Sequence, residues 1–164
     1  MSTKKTKITA DKGKQELFIA REFDAPVDMV YKAFTDPEIL VQWMGPKDLS
    51  MRIEKLDNKT HGSYRFDHID KDGNEFGFNG VIHEVDAPHR VIRTFEFEGM
   101  PERGHVALEF LTLEKLPDDR TRAIMQSVFR SVEDRDGMVQ SGMETGVNEG
   151  FSKLDEILDK KLVS

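Results

Sequence analysis

Along Ser63-Tyr64-Arg65-Phe66-Asp67-His68-Ile69, the two-residue alternation of a strand puts Tyr64, Phe66 and His68 on one face. An inward histidine beside an aromatic hydroxyl can orient a carbonyl or a phenol, whereas the same residue at a sheet edge can simply be hydrogen-bonded there. Arg65, His83, Glu84 and Arg93 are the other polar candidates on predicted strands. His83 and Glu84 are adjacent, so they point to opposite faces and do not make a shared acid–base pair. Glu84 and Arg90 flank a turn and read as a structural ion pair.

Signatures of dedicated catalysis are missing. The chain has no nucleophile elbow, no His-Glu-x-x-His, no phosphate loop and no dinucleotide fingerprint. It has no cysteine, which excludes thiolate nucleophiles, disulfides, zinc fingers and iron–sulfur clusters. His61, His68, His83, His89 and His105 show no helical metal spacing. Asp70-Lys71-Asp72-Gly73-Asn74 looks like a calcium loop, but its glycine comes before the third oxygen ligand and no closing glutamate follows, so it reads as a hairpin turn. The expectation is no catalytic residue, no metal and no cofactor.

Composition narrows the partners. The 164 residues fit one domain with a real core, expected over residues 15–164, and no apolar run is long enough to insert into a membrane. Without a signal peptide or cysteine, a cytoplasmic location is expected. Residues 1–14 hold five lysines against Asp11, a charge of +4, and read as a disordered basic arm. The remainder therefore carries −11 of the net −7 and would be repelled by phosphate backbones, so nucleic acid is not expected as a partner.

The element that must position these side chains is the C-terminal segment. Met143, Val147, Phe151, Leu154, Leu158 and Leu162 recur at steps of three and four, widened by Val139 and Ile157, and predict one long helix over Asp134–Val163. Ser131 and Asp134 resemble a capping box at its start, and Lys160 and Lys161 suit its negative end. Gly142, Gly146 and Gly150 recur every fourth residue along one edge. Each costs a helix about 1 kcal/mol relative to alanine, so they mark a close approach, either to sheet backbone or to the contents of a cavity between helix and sheet.

The rest of the chain reads as a strand over Glu16–Phe23, then two short helices opened by Pro26 and Pro37 and closed by Gly45-Pro46. Asp24 or Asp28 can cap the first. Six strands follow, Met51–Leu56, Ser63–Ile69, Glu75–Val85, Arg90–Phe97, Val106–Leu116 and Arg122–Phe129, with all six prolines at boundaries. The short connections imply an antiparallel meander. The fold class is α+β, a curved antiparallel sheet of about seven strands wrapped around the long C-terminal helix, with two short helices after strand one.

Three separated stretches resemble a known family. Arg21-Glu22-Phe23-Asp24-Ala25-Pro26 with Val30 to Pro37 and Trp43-Met44-Gly45-Pro46 is similar to the opening of the AHSA-like proteins, which belong to the START and polyketide-cyclase superfamily. Gly80 to Ile92 resembles the family's central hairpin, and Ser141 to Gly146 its closing helix. The resemblance implies the helix-grip fold and a cavity between the C-terminal helix and the sheet. Suitable walls are Trp43, the strand residues Tyr64, Phe66, His68, Phe78, Phe95, Phe97, Phe110, Met125 and Phe129, and Met143, Val147 and Phe151 from the helix beside Gly142, Gly146 and Gly150. Many relatives have a second aromatic where this chain has Met44 and a tryptophan where it has Val147, changes that would enlarge or soften the pocket.

The leading expectation is non-catalytic binding of a small hydrophobic molecule, lipid-like or aromatic. Two alternatives stand beside it. The resemblance alone implies a chaperone ATPase activator-like stress-response protein with a chaperone as partner. A cyclase or aromatase-type enzyme would use His68 or an acidic neighbour as its acid or base.

Overall fold

The computed structural model describes residues 4–160. The chain opens with β1 (Lys7–Thr9) and β2 (Glu16–Phe23), followed by α1 (Val27–Thr35) and α2 (Pro37–Trp43). Six strands come next: β3 (Ser50–Leu56), β4 (Ser63–Ile69), β5 (Glu75–Asp86), β6 (Arg90–Phe97), β7 (Val106–Leu116) and β8 (Arg120–Val128). Two helices end it, α3 (Val132–Gln140) and α4 (Met143–Asp159). No helix among the described residues is long and apolar enough to cross a membrane.

All strands join one antiparallel sheet in the order β1-β2-β8-β7-β6-β5-β4-β3. The meander from β3 to β8 follows from its short turns, and the sheet is completed when β2 pairs β8 with Ile19 opposite Met125. β2 and β3 thus lie far apart in the sheet, so the chain between them must cross a face. It crosses as α1 and α2. Bulges between Ile53 and Lys55 and between Ile82 and Glu84 bend the sheet around these helices.

Alternation sorts the side chains. On β2, Leu17, Ile19, Arg21 and Phe23 are buried while the residues between them are not. The principal core joins Phe23, Val30, Ala33, Leu40 and Trp43 to Phe151, Leu154, Ile157 and Leu158 of α4. Trp43 donates its indole N–H to the Ala33 carbonyl at 2.9 Å, so its polar edge is satisfied inside the core. Arg21 stands in the apolar phase of β2 because Asp155 of α4 meets it with two hydrogen bonds of 2.9 and 2.6 Å. This buried pair fixes α4 over the β2 side of the sheet.

Several expectations need correction. The single helix over Asp134–Val163 is two, broken at Gly142, which takes φ +86°, a left-handed conformation that glycine alone adopts without strain. Ser131 does cap the first of them, accepting from the Asp134 amide at 3.1 Å. Lys161, Leu162 and Val163 lie outside the described residues. The arm expected over residues 1–14 carries β1, whose Lys7 and Thr9 pair with Ala20 and Phe18, because the exposed edge of β2 offers unpaired amides and carbonyls. The sheet therefore has eight strands. Asp24 does not cap α1; it binds Lys4 at 2.7 Å and Arg120 at 3.0 Å.

Candidate functional site

The crossing of α1 and α2 leaves a cavity of about 170 Å³ against the concave sheet face. Its roof is Phe34 and Thr35 of α1 with Leu40 and Met44 at α2, and Leu56 and Asn58 close one side. Its floor runs across the strands from Ile82 on β5 and Val91 and Arg93 on β6 to Glu109 and Leu111 on β7, Met125 on β8 and Ile19 on β2. Ten of the sixteen lining residues are aliphatic, aromatic or methionine; the polar ones are Thr35, Asn58, Arg93, Glu109, Gln126 and Ser127.

The charged exception is a pair. Arg93 and Glu109 face each other across β6 and β7, and the Arg93 Nε donates to Glu109 Oε1 at 3.1 Å. The guanidinium lies over the Tyr64 ring, 4.5 Å from its centroid. The Tyr64 hydroxyl donates in turn to the Thr94 carbonyl at 2.5 Å, and burial pushes its pKa well up, so the phenol stays neutral. This stack holds the arginine in place on the cavity floor beside Glu109.

Of the sequence candidates, the polar Arg93 and the apolar Met125 and Phe110 adjoin this cavity. Phe110 pairs with Ile92 and Gln126, in the opposite phase from Glu109 and Leu111. Alternation therefore directs its ring to the convex face and leaves main chain at the floor. Tyr64, Phe66, Phe78, Phe95 and Phe97 form a separate column on the concave face of β4 to β6. Phe66 stacks on Phe78 at 5.0 Å, and Phe78 lies 5.3 Å from Phe95 and 5.1 Å from Phe97. Met143, Val147 and Phe151 of α4 pack into the principal core. Phe151 meets Phe23 edge-on at 5.4 Å, and Phe129 is buried with Leu17 and Ala107.

His68 is buried at the end of the aromatic column, edge-on to Phe66 and Phe78 at 5.3 and 5.4 Å. Its Nδ1 has no hydrogen-bond partner, and burial lowers its pKa, so the ring is neutral at neutral pH. The expected aromatic hydroxyl is not its neighbour, since the Tyr64 hydroxyl is held by Thr94. Gly45 packs on this ring instead: a Cβ there would lie 2.6 Å from His68 Cε1.

The glycine edge of α4 meets neither sheet backbone nor cavity. It receives the loop after α2. A Cβ at Gly150 would lie 2.9 Å from the Trp43 carbonyl oxygen, and one at Gly146 would lie 3.1 Å from Pro46 Cγ, whereas Gly142 faces open space. The loop is thus clamped between α4 and His68, and it carries Met44 into the cavity roof.

Glu109, Phe34 and Leu40 escaped the sequence reading. A signal existed for Glu109, which alternates with Ala107, Leu111 and Leu113 on the apolar phase of its strand. Arg93 likewise alternates with Val91, Phe95 and Phe97. A charged residue in the buried phase of a strand announces a partner.

Comparison with known proteins gives a consistent picture. The family described as "Activator of Hsp90 ATPase homolog 1-like protein" matches residues 24–159. A crystal structure of a Rhodobacter sphaeroides protein is similar with a TM-score of 0.86 at 23% identity, covering 95% of this chain and 99% of that one. The AHSA1 protein of Silicibacter pomeroyi gives a TM-score of 0.73 at 21% identity, over 89% of this chain and 99% of its own. DynU16, a protein in the dynemicin biosynthetic locus, gives 0.65 at 19% identity, over 89% of this chain and 48% of its own. No curated protein matches the sequence significantly.

Proposed function

The chain belongs to the family of activator of Hsp90 ATPase homolog 1-like proteins, and on that footing we propose that it binds a small hydrophobic molecule, without chemical turnover, in the cavity beneath α1 and α2. The observation that carries this reading is the cavity itself, apolar on most sides and served by one fixed ion pair. Its size sets the ligand class. An engineered apolar cavity of about 150 Å³ accepts benzene, so about 170 Å³ suits one substituted ring or a short branched chain. A long acyl chain does not fit without opening the roof.

Native mass spectrometry and thermal shift against a library of single-ring and short aliphatic compounds test the reading. The variant Val91→Phe fills the floor from β6 and should abolish the shift while the protein still melts cooperatively. A library that leaves the wild-type melting temperature unchanged, with no bound passenger in the native spectrum, would count against it.

The family description also supports a chaperone-associated role. Absence of any change in chaperone ATP hydrolysis on adding the purified chain would dispose of that alternative. A cyclase-type reading rests on the family resemblance; His68 does not line the cavity, which leaves Glu109, held by Arg93, as the acidic side chain that such chemistry would have to use.

A further inference from the structure

The Arg93–Glu109 pair leaves hydrogen-bonding capacity unused on both sides. Only the Arg93 Nε is engaged, with Glu109 Oε1; among the described residues neither the two terminal guanidinium nitrogens nor Glu109 Oε2 has a hydrogen-bond partner. Both residues line the cavity, and both are half-buried. An arginine offers donors only and a carboxylate acceptors only, so the free positions ask for one acceptor and one donor on the ligand.

Charge decides between ligand types. The pair is neutral as a unit, +1 against −1, and the wall around it adds no further charge, only apolar groups and neutral polar ones such as Ser127 opposite Glu109. A bound carboxylate would satisfy Arg93 but would leave a net negative charge beside Glu109 where both side chains are already largely withdrawn from water; a bound cation would do the converse. A neutral head group that accepts from Arg93 and donates to Glu109 satisfies both without adding charge.

From this, the geometry points to a neutral, single-ring-sized ligand whose polar end carries an acceptor and a donor side by side, as in a primary amide or a hydroxy-carbonyl compound, with its apolar body between the roof of α1 and α2 and Met125. This inference rests on the cavity being a ligand site, and its test separates the two claims.

The test is calorimetric or NMR titration of the whole chain with four matched probes: benzamide, benzoate, benzamidine and toluene. Benzamide should bind more tightly than each of the others by about tenfold or more, the value of a hydrogen bond to a charged group. In Glu109→Gln the carboxylate charge is gone and Arg93 is uncompensated, so benzoate should overtake benzamide. That reversal of preference reads the charge of the site and is not expected from a merely loosened fold. Equal binding of toluene and benzamide would overturn the inference while leaving the cavity reading intact. Tighter binding of benzoate than benzamide to the wild type would also overturn it, making Arg93 an anion site. No binding of any probe, toluene included, would overturn both claims.

Discussion

Adding one methyl group at Gly150 tests how the roof of the cavity is held. In Gly150→Ala the new carbon would sit 2.9 Å from the Trp43 carbonyl oxygen and 3.5 Å from the amide nitrogen and carbonyl oxygen of Gly45. These are main-chain atoms of a loop packed against His68 on its other side, so they cannot swing aside as a side-chain end would. Alanine gains about 1 kcal/mol over glycine as a helix former, and overpacking costs about 1–3 kcal/mol, so a net loss of about 1 kcal/mol is expected. Gly137→Ala in α3 is the control, because its Cβ meets nothing within 4 Å and should show the helix gain alone. At this chain length about 1 kcal/mol moves Tm by about 2–4 °C, so a difference of about 2 kcal/mol separates the two variants by about 4–8 °C. Scanning calorimetry of both gives the answer. If Gly150→Ala melts at or above Gly137→Ala, the close approach of loop and helix is not what keeps glycine there.

Other perturbations read other parts of the structure. Asp155→Ala leaves Arg21 buried without its partner and should cost about 3–5 kcal/mol by urea denaturation, while the double change Arg21→Met with Asp155→Leu should recover most of that. His68 has its pKa lowered from 6.5 by burial, so the unfolded chain takes up the proton first. Its contribution is whole above about 6.5 and is lost as pH falls through the depressed folded value; His68→Gln should flatten that acid limb of a stability-against-pH curve. His105 has the opposite sign, raised from 6.5 first by the hydrogen bond to Asp134, and its contribution is lost as pH rises through the raised value. His105→Gln should remove that second dependence and leave the first, and a curve unchanged by either variant would refute both assignments.

The strands were legible because each physical cue is local. Pro26, Pro37 and Pro88 fall at boundaries, and Tyr64, Phe66 and His68 alternate with Arg65 and Asp67 along β4, whereas in β2 Arg21 in the buried phase and Phe18 and Ala20 in the other blur the same pattern. The short turns made the meander readable. The break at Gly142 was not, since the apolar spacing through Val139, Met143 and Val147 runs on unchanged across it, and a left-handed φ leaves no trace in periodicity. β1 escaped for a similar reason: Lys7-Ile8-Thr9 is too short and too basic to read as a strand until the β2 edge is there to receive it.

The roof of the cavity depended on a contact between residues far apart in the chain. Arg21 and Asp155 draw α4 toward β2, and α1 and α2 span the open concave face because β2 and β3 lie far apart in the sheet order. Strand order could have been deduced only after β2 was known to pair with β8. The aromatic residues were placed on strands correctly except Phe129, which lies just past the end of β8, but which of them border empty space is decided by where the helices lie across the sheet.

The most direct test of the central claim is a methyl NMR titration of the labelled protein with toluene. Shifts should be confined to Ile19, Thr35, Leu40, Met44, Leu56, Ile82, Val91, Leu111 and Met125, the methyl-bearing residues that line the cavity. Shifts at Val81, Ile92 and Leu108 on the convex face, or none at saturating toluene, would contradict it.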